Sequence, residues 1–203
     1  FSPDDTRVVT GSVDQTVKVW DLTTGAEVQS LQGHSDTIYD LKFDPIAGRL
    51  LSAGADRTVR VWDFESHQES LTIANRSSVT SFAYSPDGSK IAADADGLKL
   101  FDAQTGQLLQ ILDPEFNTYM VAYSRDGKWL VASSWDGRLM AMDAETGKKR
   151  WELPKYHTGL MAFAFHPYDP KVVVGCEDGM VRIVDLQRGE VVRYFVHSRG
   201  HVK

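Results

Sequence analysis

Along the chain, short apolar stretches alternate with polar ones at two distinct rhythms. The clearest rhythm has period two: Val17-Lys18-Val19-Trp20, Val59-Arg60-Val61-Trp62, Leu98-Lys99-Leu100-Phe101, Leu139-Met140-Ala141-Met142 and Val181-Arg182-Ile183-Val184. Side chains that alternate along the chain point to opposite faces of a strand, so these segments predict strands rather than helices. Each is preceded by another apolar run, over 7–12, 49–54, 90–93, 129–134 and 171–176, and an Asp-led turn separates the two: Asp14-Gln15, Asp56-Arg57, Asp96-Gly97, Asp136-Gly137 and Asp178-Gly179. Two strand patterns joined by such a turn predict a hairpin.

The slower rhythm is a repeat. An aromatic before a polar turn recurs at Phe1, Phe43, Tyr84, Tyr123 and Phe165, in steps of 42, 41, 39 and 42 residues. A turn drawn from Pro, Asp and Gly follows each aromatic, as in Ser85-Pro86-Asp87-Gly88, because Pro presets φ, Asp bonds its own backbone and Gly accepts φ > 0. Every alternating run then meets an Asp, and four copies carry Gly four residues later: Asp21/Gly25, Asp102/Gly106, Asp143/Gly147 and Asp185/Gly189, against Asp63/His67 in the second copy. A recurring Gly predicts a left-handed backbone, which His occupies at some cost. A further run, over 26–31, 107–112 and 191–196, completes the unit. Four antiparallel strands per unit of about 40 residues, with no helical pattern between them, predict an all-β propeller of four-stranded blades.

One copy carries more. Gly33-His34, Phe43-Asp44-Pro45, Leu51-Ser52-Ala53-Gly54-Ala55-Asp56, Thr58-Val59-Arg60-Val61 and Trp62-Asp63 together closely resemble a WD-repeat (WD40) unit. The resemblance runs through the whole chain, strongest in the first two copies. It implies a buried hydrogen-bonded tetrad of His34, Ser52, Asp56 and Trp62, with a partial set, Thr10, Asp14 and Trp20, in the first copy. Copies three to five carry Phe101, Met142 and Val184 in place of the Trp, so apolar packing must serve there.

We expect one propeller domain over residues 1–203, with repeats at about 1–34 (partial), 35–76, 77–116, 117–157 and 158–203. Phe1 reads as the last residue of a first strand, and Gly200-His201-Val202-Lys203 as the opening of another, so about five blades of a longer, often seven-bladed, propeller are expected, the first lacking most of its innermost strand.

Composition narrows the function. Apolar residues make up 42% of the 203, enough for a sizeable core, and no apolar run approaches the roughly 20 residues of a membrane helix. The net charge of -6 argues against nonspecific nucleic-acid binding, which needs a basic face. Cys176 is a single cysteine, so no internal disulfide is possible, and a reducing, cytoplasmic location is expected.

Catalytic and metal readings are weaker. The segment Asp143-Ala144-Glu145-Thr146-Gly147-Lys148-Lys149-Arg150-Trp151 is similar to the repeat of quinoprotein dehydrogenases, where such a sequence leads to a docking Trp; only this copy keeps that Trp. Asp94-Ala95-Asp96-Gly97 is similar to the start of a calcium loop but lacks its remaining ligands, so a hairpin turn is favoured. His197 and His201 lack a third ligand. Cys176 beside Glu177 reads as a packed thiol. No cofactor and no metal are expected.

The reading is therefore a non-catalytic interaction scaffold that binds a protein or peptide through a propeller face. The alternatives are a regulatory or sensor module of a larger protein and, behind it, a quinoprotein-like enzyme. The residue before each turn Asp should lie on the tetrad-turn face: Val13, Ala55, Ala95, Trp135 and Glu177. Trp135 has the residue type enriched in binding hot spots, and Tyr39 and Tyr119, at matching positions in the first strands of their blades, are expected to line the same face.

Overall fold

A computed structural model describes residues 1–44, 48–64, 66, 68–153 and 159–196. His67, His197, His201, residues 45–47 and the segment 200–203 lie outside the described residues. The described residues form strands and turns in five antiparallel sheets and no helix. Sheet one has three strands, β1 (Arg7–Gly11), β2 (Val17–Asp21) and β3 (Glu27–Leu31). Sheet two has four: β4 (Ile38–Phe43), β5 (Arg49–Gly54), β6 (Thr58–Asp63) and β7 (Glu69–Ala74). Sheet three holds β8 (Phe82–Tyr84), β9 (Lys90–Asp94), β10 (Leu98–Asp102) and β11 (Leu108–Asp113). Sheet four holds β12 (Thr118–Tyr123), β13 (Trp129–Ser134), β14 (Leu139–Asp143) and β15 (Lys149–Glu152), and sheet five β16 (Leu160–Phe165), β17 (Lys171–Cys176), β18 (Met180–Asp185) and β19 (Glu190–Val196). Within every sheet the strands follow chain order, so each sheet is an up-and-down blade of a β-propeller.

Alternation along each strand sends successive side chains into two different cores. Leu50 and Trp62 pack with Val17 and Leu31 of sheet one, whereas Leu51, Ala53, Val59 and Val61 pack with Phe82, Ile91 and Phe101 of sheet three. Ala92, Leu98 and Leu100 turn the other way, to Leu130, Met140 and Met142. Val131 and Ala141 complete the series against Phe163, Val172, Val174 and buried Cys176. The first strands β4, β8, β12 and β16 approach one another in sequence.

The turns between third and fourth strands follow the Asp and Gly signal. Asp21 Oδ1 accepts the Thr23 and Thr24 amides and the Thr24 hydroxyl, and Asp102 and Asp143 repeat the arrangement with Thr105 and Thr146. Gly25, Gly106, Gly147 and Gly189 all have φ between 68° and 71°, the left-handed backbone a side chain resists.

Candidate functional site

The end of the molecule that carries the hairpin turns between second and third strands also carries the segments joining one sheet to the next. His34 arrives on such a segment. Its Nε2 lies 2.6 Å from Ser52 Oγ and its Nδ1 2.7 Å from Asp56 Oδ2, while Trp62 Nε1–H donates to the same Ser52 Oγ at 2.8 Å. Burial lowers the His34 pKa, more than the Asp56 carboxylate raises it, so the ring is neutral. One proton arrangement satisfies the chain: Trp62 N–H to Ser52, Ser52 O–H to Nε2, and Nδ1–H to Asp56. Asp56 is itself pushed up by burial, but donors from Thr58, the Ser35 amide and His34 outweigh that and lower its pKa. Gly33 is required beside this site, because a Cβ there would sit 3.0 Å from the Trp62 ring.

In sheet one, Trp20 Nε1–H donates to Thr10 Oγ1 at 2.9 Å, on an exposed surface, while Asp14 bonds Thr16 instead. In sheets three to five Phe101, Met142 and Val184 are buried in apolar clusters.

The same end presents the candidate face. Trp135 is 52% exposed and stands edge-on to Tyr119, with ring centroids 4.3 Å apart and planes at 76°. Tyr39 is 53% exposed. Both tyrosines sit where the register slips, between Ile38 and Asp40 in β4 and between Thr118 and Met120 in β12; a bulge at this position re-aims the side chain. Val13 is exposed, and Glu177 is held in place by the Gly159 amide, which donates to its carboxylate at 3.1 Å.

Ala95 departs from the expectation: it is 0% exposed. The reason is register. Asp94 pairs with Leu98, leaving residues 95–97 as the turn, whereas Ala53 pairs with Val59, Ser133 with Leu139 and Gly175 with Val181, each across a turn two residues longer. Asp96 and Gly97 both take positive φ, as tight Asp-Gly hairpins do. The short turn leaves a groove of ≈ 510 Å³ between sheets three and four, lined by Thr80, Asp94, Asp96, Glu115, Asn117 and Trp135 among others. Asp94, Asp96 and Glu115 are functional candidates the sequence reading does not single out as a site, although the 39-residue step from Tyr84 to Tyr123 already carries the two-residue deficit. Among the described residues no three His, Cys, Asp or Glu side chains are placed to hold a metal.

At the opposite end a second groove, of ≈ 650 Å³, is lined by Lys128, Trp129, Arg150, Trp151 and Arg188 with other residues. Trp151 is a tie between blades: its Nε1–H donates to the Leu186 carbonyl at 2.6 Å, and its ring packs where a Cβ on Gly189 would clash, at 2.6 Å.

The family model described as "WD domain, G-beta repeat" matches residues 1–21, 25–63, 67–98, 107–141 and 147–185. The chain belongs to the WD40 family. Its similar proteins include the WD repeat and HMG-box DNA-binding protein 1 of Xenopus laevis, 29% identical over 94% of this chain and 18% of that protein. The nuclear distribution protein nudF of Emericella nidulans is 32% identical over 82% of this chain and 40% of that protein, and the eukaryotic translation initiation factor 3 subunit I of Kluyveromyces lactis is 22% identical over 96% and 62%. The chain thus spans less than two thirds of these relatives. The crystal structure of the computationally designed Ika8 protein superposes with a TM-score of 0.83 at 26% identity, covering 98% of this chain and 61% of that one. WD40 domains generally serve as protein-interaction scaffolds and typically are not enzymes.

Proposed function

We propose that this WD40 segment is a non-catalytic scaffold that binds a protein or peptide partner through the face bearing Trp135, Tyr119 and Tyr39. The observation that carries the reading is the Trp135–Tyr119 pair: a large indole half in solvent, held edge-on at 4.3 Å by a tyrosine whose strand bulges to present it. Exposed, immobilised aromatics lose little conformational entropy on binding and dominate interface energetics. The tetrad, in sheet two, is buried and fully bonded, so it holds that sheet's turn in place rather than meeting the partner. Trp151, the feature that resembles a quinoprotein repeat, is engaged in joining two blades, which supports a structural role for that segment. A single buried thiol, Cys176, fits a reducing compartment such as the cytoplasm.

The test is Trp135→Ala in the full-length protein, with captured partners quantified by mass spectrometry against wild type. A loss of about thirtyfold or more in at least one partner, with unchanged melting temperature, is expected of a hot-spot residue. Undiminished capture by a folded variant would falsify the reading.

A further inference from the structure

Sheet three is cut back at the candidate face in two independent ways. Its hairpin turn is two residues shorter than those of its siblings, and its first strand β8 has 3 residues where β4, β12 and β16 have 6 each. The result is a notch walled on one side by the Trp135 indole and holding three carboxylates, Asp94, Asp96 and Glu115. Among the described residues, no Lys or Arg lines it. The Arg138 guanidinium, bonded to the backbone of the lining residue Glu115, is already engaged: it lies over the Phe116 ring, donates to the Glu115 carbonyl at 2.9 Å and pairs with Asp136 at 3.2 Å. Asp94 accepts one long bond, from Thr80 Oγ1 at 3.3 Å, and burial together with the Asp96 charge pushes its pKa up to about 6. Elsewhere the chain's buried acids have partners, as Asp44 does in Arg49 and Asp56 in His34.

We infer that the notch receives a lysine or arginine side chain from an extended, basic segment of a protein partner, its cationic head between Asp94 and Asp96 and its stem along the Trp135 indole. The inference rests on the reading of this face as the partner-binding face and adds the partner's chemistry. Charge complementarity selects the occupant: a cation supplies the counter-charge that three carboxylates lack, and an indole face attracts cations through its quadrupole. The apolar stem of a long basic side chain covers the ring while the head stays polar, a division that a short or acidic side chain cannot reproduce.

A random peptide library displayed against the full-length protein tests this, with retained sequences sorted by charge. Lys- and Arg-bearing peptides are expected to be enriched about tenfold or more, since close charge pairs at interfaces couple by that much. The enrichment should vanish in Asp94→Asn/Asp96→Asn, and should fall in the exposed Glu115→Gln, which guards against misfolding of the double variant; Asn keeps the positive φ at position 96 accessible. All retention should collapse in Trp135→Ala. Retention that needs Trp135 but ignores peptide charge, or survives neutralisation of the carboxylates, overturns the cation inference and leaves the face reading standing. Retention indifferent to Trp135, or no retention at all, overturns both.

Discussion

His34 Nε2 and Ser52 Oγ meet at 2.6 Å, buried, although 18 residues separate them in the chain. The contact fastens the segment entering sheet two to that sheet's second strand, and Ser52 serves as the hinge of the chain of bonds because it donates to His34 while accepting from Trp62. Ser52→Ala therefore strands two buried groups at once, and an unmet buried group costs about 1–3 kcal/mol. We expect a loss of about 2–4 kcal/mol in urea unfolding. Thr10→Ala removes the corresponding bond to Trp20 where water replaces it, and should cost under about 0.5 kcal/mol. Equal costs for the two would contradict the role assigned to burial.

Acid should weaken the tetrad in a defined window. Burial lowers the His34 pKa from the ordinary 6.5, so the unfolded chain takes up the proton first. The stability this neutral ring contributes is complete above 6.5 and is lost as pH falls from 6.5 towards the folded-state value. His34→Gln cannot titrate; its stability deficit relative to wild type should shrink as pH is lowered through that range. A deficit independent of pH would mean that His34 titrates alike in both states.

Asp94 has the opposite sign. Its pKa is raised from 3.8 to about 6 by burial, so the folded protein binds this proton more tightly than the unfolded chain does. The resulting stabilisation is present below 3.8 and is lost as pH rises to about 6. Asp94→Asn should thus raise the melting temperature near neutral pH, and the gain should disappear towards pH 4. A carboxylate kept at the expense of stability is what a binding notch requires, and a variant no more stable than wild type at neutral pH would count against its desolvation.

Trp151→Phe keeps most of the ring contact with Gly189 but deletes the donor to the Leu186 carbonyl. The expected loss is about 1 kcal/mol, with a further loss of about 2 kcal/mol for Trp151→Ala. Neither change should alter peptide retention, since Trp151 lies at the end of the strands remote from Trp135. Hydrogen exchange across β18 would show whether the blade contact has loosened.

Most of the strand plan was legible because its causes are local. Apolar runs ended by Asp-led turns mark β5, β13 and β17 at the boundaries found, period-two alternation marks the strands that follow them, and the Asp-to-Gly spacing marks the left-handed glycines. The tetrad residues were legible through the fullest repeat, His34 to Trp62. The notch was not, because it depends on which residues pair. Aligning the copies on Asp96 places Ala95 with Trp135, but Asp94 pairs with Leu98, and that register buries Ala95 and exposes a carboxylate to the groove instead. Likewise the Trp135–Tyr119 contact joins two segments whose spacing carries no short-range pattern.

The most direct test of the central claim, that the partner docks at the Trp135 face, is photo-crosslinking from two exposed positions at opposite ends of the strands. A benzophenone amino acid replaces Asn117, beside the notch, or Gln187, in the turn after β18 at the other end. The account predicts that a partner protein is captured covalently from position 117 and not from position 187. Capture of that partner from 187 alone would contradict it.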